Sequence, residues 1–288
     1  MRSLASYIMR GRMQAILVVV ISAVLPLLFW LSAAAGSLVF LRRGFKDASS
    51  VIVWGLLPAV AMWVFGEPSV LLVMVGTLGL AALLRAGHSW NRVLLSSIVL
   101  GLFYGLILDV VLRDTFEVLA KVLEKALPQI EGKPVLPGEL IGPLLVASSA
   151  VMLQLFSVVA LMLARYWQAA LYNPGGFGRE FREVRLPLVP MLVLVSLMVL
   201  GPFIGPQFIV LASASSLVLL LAALALIHGL VAQKRLAGFW LVGLYVTLPL
   251  IMQLVYPLLV VLAIVDSLID FRGRKSPEKG DDSANGEG

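Results

Sequence analysis

Three stretches of the chain carry no Asp, Glu, Lys or Arg: Met13 to Leu41, Leu186 to Gln233 and Leu236 to Val265. They hold 29, 48 and 30 residues. A hydrocarbon layer of ~30 Å takes about 20 helical residues, so none of the three fits one ordinary span. Between them, charges and helix breakers mark off shorter apolar segments: Ala48 to Gly66, Pro68 to Leu84, Val93 to Leu112 and Leu140 to Ala164. The longest run divides at Gly201-Pro202-Phe203-Ile204-Gly205-Pro206, a sequence that helices avoid. The pattern predicts an all-α, polytopic transmembrane helical bundle of about 8–10 membrane segments. The range reflects runs 13–41 and 236–265, each of which is either one long helix or a hairpin of two short ones.

Basic residues arbitrate between these, because Lys and Arg accumulate in cytoplasmic connectors. If each ambiguous run crosses once, the 22 basic residues divide 11 to 11. If each is a hairpin, breaking near Pro26 and Pro249, one side collects the N-terminal tail, the C-terminal tail and the connectors near residues 42–46, 85–92, 165–185 and 234–235. That side then holds 18 basic residues, leaving Arg113, Lys121, Lys125 and Lys133 on the other. The uneven split is the physical one. It predicts both termini in the cytoplasm and hairpin arms of about 15 residues, or ~22 Å of helix.

Composition agrees with this picture. The chain is 60% hydrophobic and 13% charged, against a soluble average of about 25% charged. The net charge of +6 sits mostly in short connectors, which suits a membrane surface and not nucleic acid. Zero cysteines exclude disulfides and thiolate metal sites. The basic start, Met1 to Arg12, precedes an apolar stretch longer than a signal-peptide core, so the segment is read as a first anchor. Residues 1–270 are expected to form a single integral membrane domain, and the polar tail 271–288 to be disordered.

Two connectors have character of their own. In the outer-surface loop 113–139, Phe116, Leu119, Leu123 and Leu127 recur at helical spacing, with Glu117, Lys121 and Glu124 opposite. This predicts an amphipathic helix on the outer membrane surface, stopped by Pro128. In the cytoplasmic loop 165–185, Asn173-Pro174-Gly175-Gly176 is a strong turn. Arg165, Trp167 and Tyr172 are expected at headgroup level as anchors. With Phe177 and Glu180, these residues are the candidates for docking a protein partner.

Within the spans, Asp109 is the telling charge, since an intramembrane ionisable group points to a functional interior. Ser97, Gly101, Gly105 and Asp109 fall at steps of four on one helix face, with Tyr104 near it. Gln154, with Ser157, and Gln253, with Tyr256, are candidates to complete a polar lining around a small-molecule ligand. His228 reads as a packing residue, and two distant histidines make no metal site. Gly87-His88-Ser89-Trp90-Asn91 starts like a hydrolase nucleophile elbow, but Asn91 stands where glycine is needed. The chain has no Gly-x4-Gly-Lys-Ser/Thr loop and no His-Glu-x-x-His pair, so no catalytic residue is assigned and no cofactor is expected.

Three features make the chain resemble the YybS-like family of bacterial multi-pass membrane proteins. They are Leu41-Arg42-Arg43-Gly44 after an apolar hairpin, Gly105 to Asp109 closing a span, and the junction from Arg165 through Tyr172-Asn173-Pro174-Gly175-Gly176-Phe177. The resemblance implies a bacterial inner-membrane location and supplies no catalytic or ligand residues. The hairpin-then-basic-loop start is also similar to the substrate-binding subunits of energy-coupling-factor transporters, which bind a vitamin or metal and pair with a coupling protein. Those subunits carry spaced alanines on the first helix. Here that stretch reads Ala15-Ile16-Leu17-Val18-Val19, and the nearest small-residue stripe is Ser32 with Gly36. The functional expectation is therefore a small-molecule-binding, transport-type membrane component. The alternative is a non-catalytic scaffold docking partners through loop 165–185.

Overall fold

The structure is a computed structural model and describes residues 2–130, 133–134, 136–233, 236–269 and 271. Of the expected tail 271–288, residues 272–288 lie outside the described residues. Helices dominate. A pair of two-residue antiparallel strands, Gln129–Ile130 and Lys133–Pro134, is the sole sheet among the described residues.

The apolar segments fold as the pattern requires. Run 13–41 becomes α2 (Arg12–Val24) and α3 (Phe29–Arg43), preceded by α1 (Arg2–Arg10). Then come α4 (Phe45–Val64), α5 (Ser69–Gly87) and α6 (Trp90–Val111), followed by α7 (Arg113–Ala126) in the predicted surface loop. The 35-residue α8 (Gly138–Tyr172) leads into the short α9 (Gly176–Arg182). The longest run divides where expected. Its first helix, α10 (Leu188–Ile204), passes Pro202 and stops at Gly205, and α11 (Ile209–Ala232) follows. Run 236–265 supplies α12 (Phe239–Leu250) and the first part of α13 (Met252–Ile269). Six helices, α4, α5, α6, α8, α11 and α13, are long and apolar enough to cross a bilayer. This is a multi-pass α-helical membrane protein.

Long-range contacts tie four connectors and the ends of α11 and α13 to one end of the bundle. Arg43 donates to the Met9 carbonyl at 3.0 Å and Arg12 pairs with Asp47 at 3.4 Å. Arg85 donates to the Phe40 carbonyl at 2.7 Å, and Gln168 to the Leu41 carbonyl at 3.3 Å. Asn91 and Arg185 exchange hydrogen bonds, and Phe181 packs edge-on to His228. Arg185 also donates to the carbonyls of Asp266 and Ser267. Helix C-termini leave carbonyls unpaired and carry partial negative charge. Arginine is thus used repeatedly at this end to finish helices.

This geometry resolves both ambiguous runs. Helices α2 and α3 pack side by side as a hairpin turning at Leu25–Leu28, next to Pro26 as expected. For the second run, His228 near the end of α11 and Asp266 near the end of α13 share the arginine-rich end. Further along, Tyr256 donates to Ser216 at 2.6 Å. Helices α11 and α13 are therefore parallel, and α12 must run back between them. Among the described basic residues, Arg2, Arg10, Arg12, Arg42, Arg43, Lys46, Arg85, Arg92, Arg165, Arg179, Arg182 and Arg185 belong to the arginine-rich end. Arg113, Lys121, Lys125 and Lys133 belong to the opposite, far end.

Helix α3 sits near the centre because it is small. Ser32 to Val39 are all buried, letting α2, α5 and α8 approach its backbone closely. The Ser32 and Gly36 stripe is consequently enclosed within the bundle. Helix α8 is the other spine, packing on α3, α5, α6 and α11.

Candidate functional site

The four candidate lining residues occupy three separate places. Tyr104 is fully buried. Its hydroxyl donates to the Leu72 carbonyl at 2.8 Å and lies 2.8 Å from Ser157 Oγ. Space for that hydroxyl exists because residue 76 is glycine, where a Cβ would fall 1.8 Å from it. Gln154 is also fully buried, donating to Ser97 Oγ at 3.0 Å, while its Oε1 packs against Gly101 and makes no hydrogen bond among the described residues. Gln253 is exposed at the start of α13. The expectation that these residues line one ligand site with Asp109 is corrected: Tyr104 and Gln154 join helices, and Gln253 is far from both along the fold.

Asp109 does open onto a cavity. The face Ser97–Gly101–Gly105–Asp109 runs outward along α6: its deeper half packs on Gln154 and Ala214, and Gly105 packs on Val210. At the far end it meets a half-open chamber of about 690 Å³ bordered by α6, α7, the start of α8 and the turn before α11. That volume lies within the usual range for small-molecule sites. Six ionisable residues line it: Asp109, Arg113, Glu117, Lys121, Glu124 and Glu139. Below them the wall is apolar, formed by Leu102, Leu106, Val146 and Val210. Asp109 and Arg113 form an ion pair at 3.7 Å across the kink at Leu112, with both side chains more than half exposed. The Glu124 carboxylate lies against Gly138 at the first turn of α8, where a helix N-terminus favours negative charge.

The amphipathic helix α7 forms as predicted and ends beside Pro128, but its orientation departs from expectation. Phe116 is buried, and Leu123 and Leu127 are half-buried, as the apolar stripe requires. Leu119 is instead exposed, together with Val118 and Val122. The charged row Arg113–Glu117–Lys121–Glu124 faces the chamber. The buried or half-buried row Phe116, Ala120, Leu123 and Leu127 is the one turned to the bundle, and Phe116 and Ala120 also line the chamber. Arg113, Glu117, Lys121, Glu124 and Glu139 were not singled out as site residues in the sequence. A signal was present, however: Asp109, Arg113, Glu117 and Lys121 continue at steps of four from the span into the loop, and Glu124 follows three residues later.

The 165–185 segment is bound into the bundle. Arg165 makes a two-pronged ion pair with Glu180, whose Oε2 also accepts from the Trp90 indole at 3.2 Å. Phe177 packs on Trp90, Tyr166 and Phe181. Trp167 is fully buried, which corrects its expected place as a headgroup anchor. It continues the buried α8 stripe Ser157–Ala160–Ala164, a spacing readable in the sequence. Tyr172, Asn173, Pro174 and Gly175 remain exposed at the turn, with Arg42 stacked 4.0 Å over the Tyr172 ring. Gly175 has φ +80, so glycine is required there, and Gly176 is buried against Asn173. The elbow-like segment is structural: Ser89 caps α6 by accepting from the Arg92 amide. The adjoining notch of about 170 Å³, between Trp90 and Glu183, is small for an organic ligand.

Fold and site together define a multi-pass helical membrane protein with a charged, half-enclosed chamber at one membrane face. No protein-family model, no curated protein and no solved structure matches the chain.

Proposed function

We propose that this protein is a bacterial inner-membrane component that binds a small molecule in the far-end chamber, in the manner of a transport-type protein. The arginine-rich end faces the cytoplasm and the chamber faces outward, following the distribution of basic residues. The resemblance to YybS-like proteins supports the bacterial inner membrane. The single observation that carries the binding role is the chamber itself, where Asp109 and five further ionisable residues converge above an apolar wall. Clefts and cavities with a few convergent polar groups are the usual form of ligand sites.

Docking of a partner through loop 165–185 has less to rest on. Arg165, Trp167, Phe177 and Glu180 spend their contacts inside the bundle, leaving the turn Tyr172–Gly175 as free surface.

Residue 142 offers a place from which to fill the chamber. A Cβ on Gly142, which lines it, meets nothing within 4 Å. Protein purified in mild detergent should release a bound molecule on denaturation, detected by mass spectrometry, and Gly142→Phe should release little of it. Equal recovery from both proteins would defeat the binding role.

A further inference from the structure

The chamber is built for an amphiphile. Its charged residues gather at the far end, on the last turn of α6, along α7 and in the first turn of α8. Its apolar wall descends along α6 from Asp109 through Leu106 to Leu102. Seven residues separate Asp109 from Leu102, or ~10 Å of helix. Leu106 lines the chamber and also falls on the exposed α6 row Val99, Phe103, Leu106 and Val110. The chamber is therefore open sideways, towards where acyl chains lie, at a level just below its charges.

The charged end carries both signs. Around it stand four carboxylates, Asp109, Glu117, Glu124 and Glu139, and two bases, Arg113 and Lys121. On α7 the order is basic, acidic, basic, acidic at residues 113, 117, 121 and 124. A simple anion would confront four carboxylates, and a simple cation would confront two bases. A zwitterion with phosphate and ammonium groups satisfies both, and the excess of carboxylates favours the ammonium end. The exposed row Val118, Leu119 and Val122 on the outer side of α7 fits the same placement. An amphipathic helix settles at the boundary of headgroups and acyl chains, apolar face towards the chains. In that position the inward charged row of α7 stands at headgroup height.

Building on the binding role proposed above, we infer that the chamber takes an aminophospholipid from the outer leaflet, head among the α7 charges and chain along Leu106 and Leu102. The ammonium group bonds to Glu117 and its neighbouring carboxylates, and the phosphate to Arg113 and Lys121.

Native mass spectrometry of the full chain tests this with phosphatidylethanolamine, phosphatidylglycerol, dodecyltrimethylammonium and ethanolamine as separate probes. Wild type should retain phosphatidylethanolamine in preference to the other three. Lys121→Ala and Glu117→Gln, both on an exposed helix surface, should each lower that retention by roughly tenfold, the size of one charge-assisted hydrogen bond. Gly142→Phe should abolish it, with monodispersity on size exclusion showing that each variant folds. Equal retention of phosphatidylglycerol would overturn the ammonium half, and equal retention of dodecyltrimethylammonium the phosphate half. Retention of ethanolamine without the lipid would overturn the amphiphile while leaving the chamber as a binding site. Lipid retention unchanged by Gly142→Phe would overturn the chamber itself.

Discussion

Arg165 and Glu180 meet in a two-pronged ion pair that pins α9 to the end of α8, with Arg165 Nε donating to Glu180 Oε2 at 3.0 Å. Their side chains are 16% and 31% exposed, between the regimes of surface and buried pairs. Exposed pairs contribute about 0–1 kcal/mol, whereas removing one partner of a buried pair costs ~3–5 kcal/mol. Glu180→Gln keeps an acceptor for Trp90 but loses the charge, and should lower stability by about 1–3 kcal/mol. Thermal unfolding in detergent reads this. Arg165→Lys should not restore wild-type stability, because an ammonium cannot reproduce the planar two-pronged geometry.

Much of this fold was legible in the sequence because a bilayer imposes length and charge rules on the chain. Pro26 and Pro249 marked the breaks of two hairpins, and Gly205 fell within the segment expected to divide α10 from α11. In the second hairpin, however, α13 continues to Ile269, reaches 18 residues and is long enough to cross. Asp109 was singled out as the charge nearest function, and it does open onto the chamber. Tyr104 and Gln154 misled because a polar side chain on a helix looks the same whether it lines a cavity or joins two helices. Only the positions of Gly76, Leu72 and Ser157 reveal that Tyr104 is used for joining. The orientation of α7 was hidden for a related reason. Its outward row and its packed row are both apolar, so the spacing alone does not say which one packs.

The close fit of Tyr104 over Gly76 gives a paired test. Tyr104→Phe removes one hydroxyl bonded to the Leu72 carbonyl and should cost about 1–2 kcal/mol. Gly76→Ala would place a Cβ 1.8 Å from that hydroxyl oxygen, an overpacking that should cost ~1–3 kcal/mol or more. In the Tyr104→Phe background the oxygen is gone, so Gly76→Ala should cost measurably less. Additive costs in a double-mutant cycle of thermal unfolding would contradict the contact.

Asp109 separates binding from stability. Its pair with Arg113 is long, at 3.7 Å, and more than half exposed on both sides. Asp109→Asn should therefore change the unfolding midpoint little, by the ~0–1 kcal/mol typical of surface pairs. Retention of the co-purified ligand should fall at the same time. A large stability loss in Asp109→Asn would show that the carboxylate serves packing at the end of α6 and would remove it from the binding site.

The short first hairpin makes a claim about depth that cysteine labelling can check, since the chain has no native cysteine. Helix α2 has 13 residues, or ~20 Å of length, against a hydrocarbon thickness of ~30 Å. Its turn, Leu25-Pro26-Leu27-Leu28, has no polar side chain, and Leu27 is 85% exposed. A turn reaching water would favour Gly, Asn, Asp or Ser, so this tip is expected to end in the acyl chains. Asp114→Cys, exposed in the first turn of α7, should react with a membrane-impermeant maleimide in intact bacterial cells. Asn173→Cys at the opposite end should react only after the membrane is opened. Leu27→Cys should resist the reagent in both cases and react once the protein is denatured. Labelling of Leu27→Cys in intact cells as fast as Asp114→Cys would place the tip in water. The first hairpin would then cross the whole bilayer, and the membrane around it would have to thin by ~10 Å to match its length.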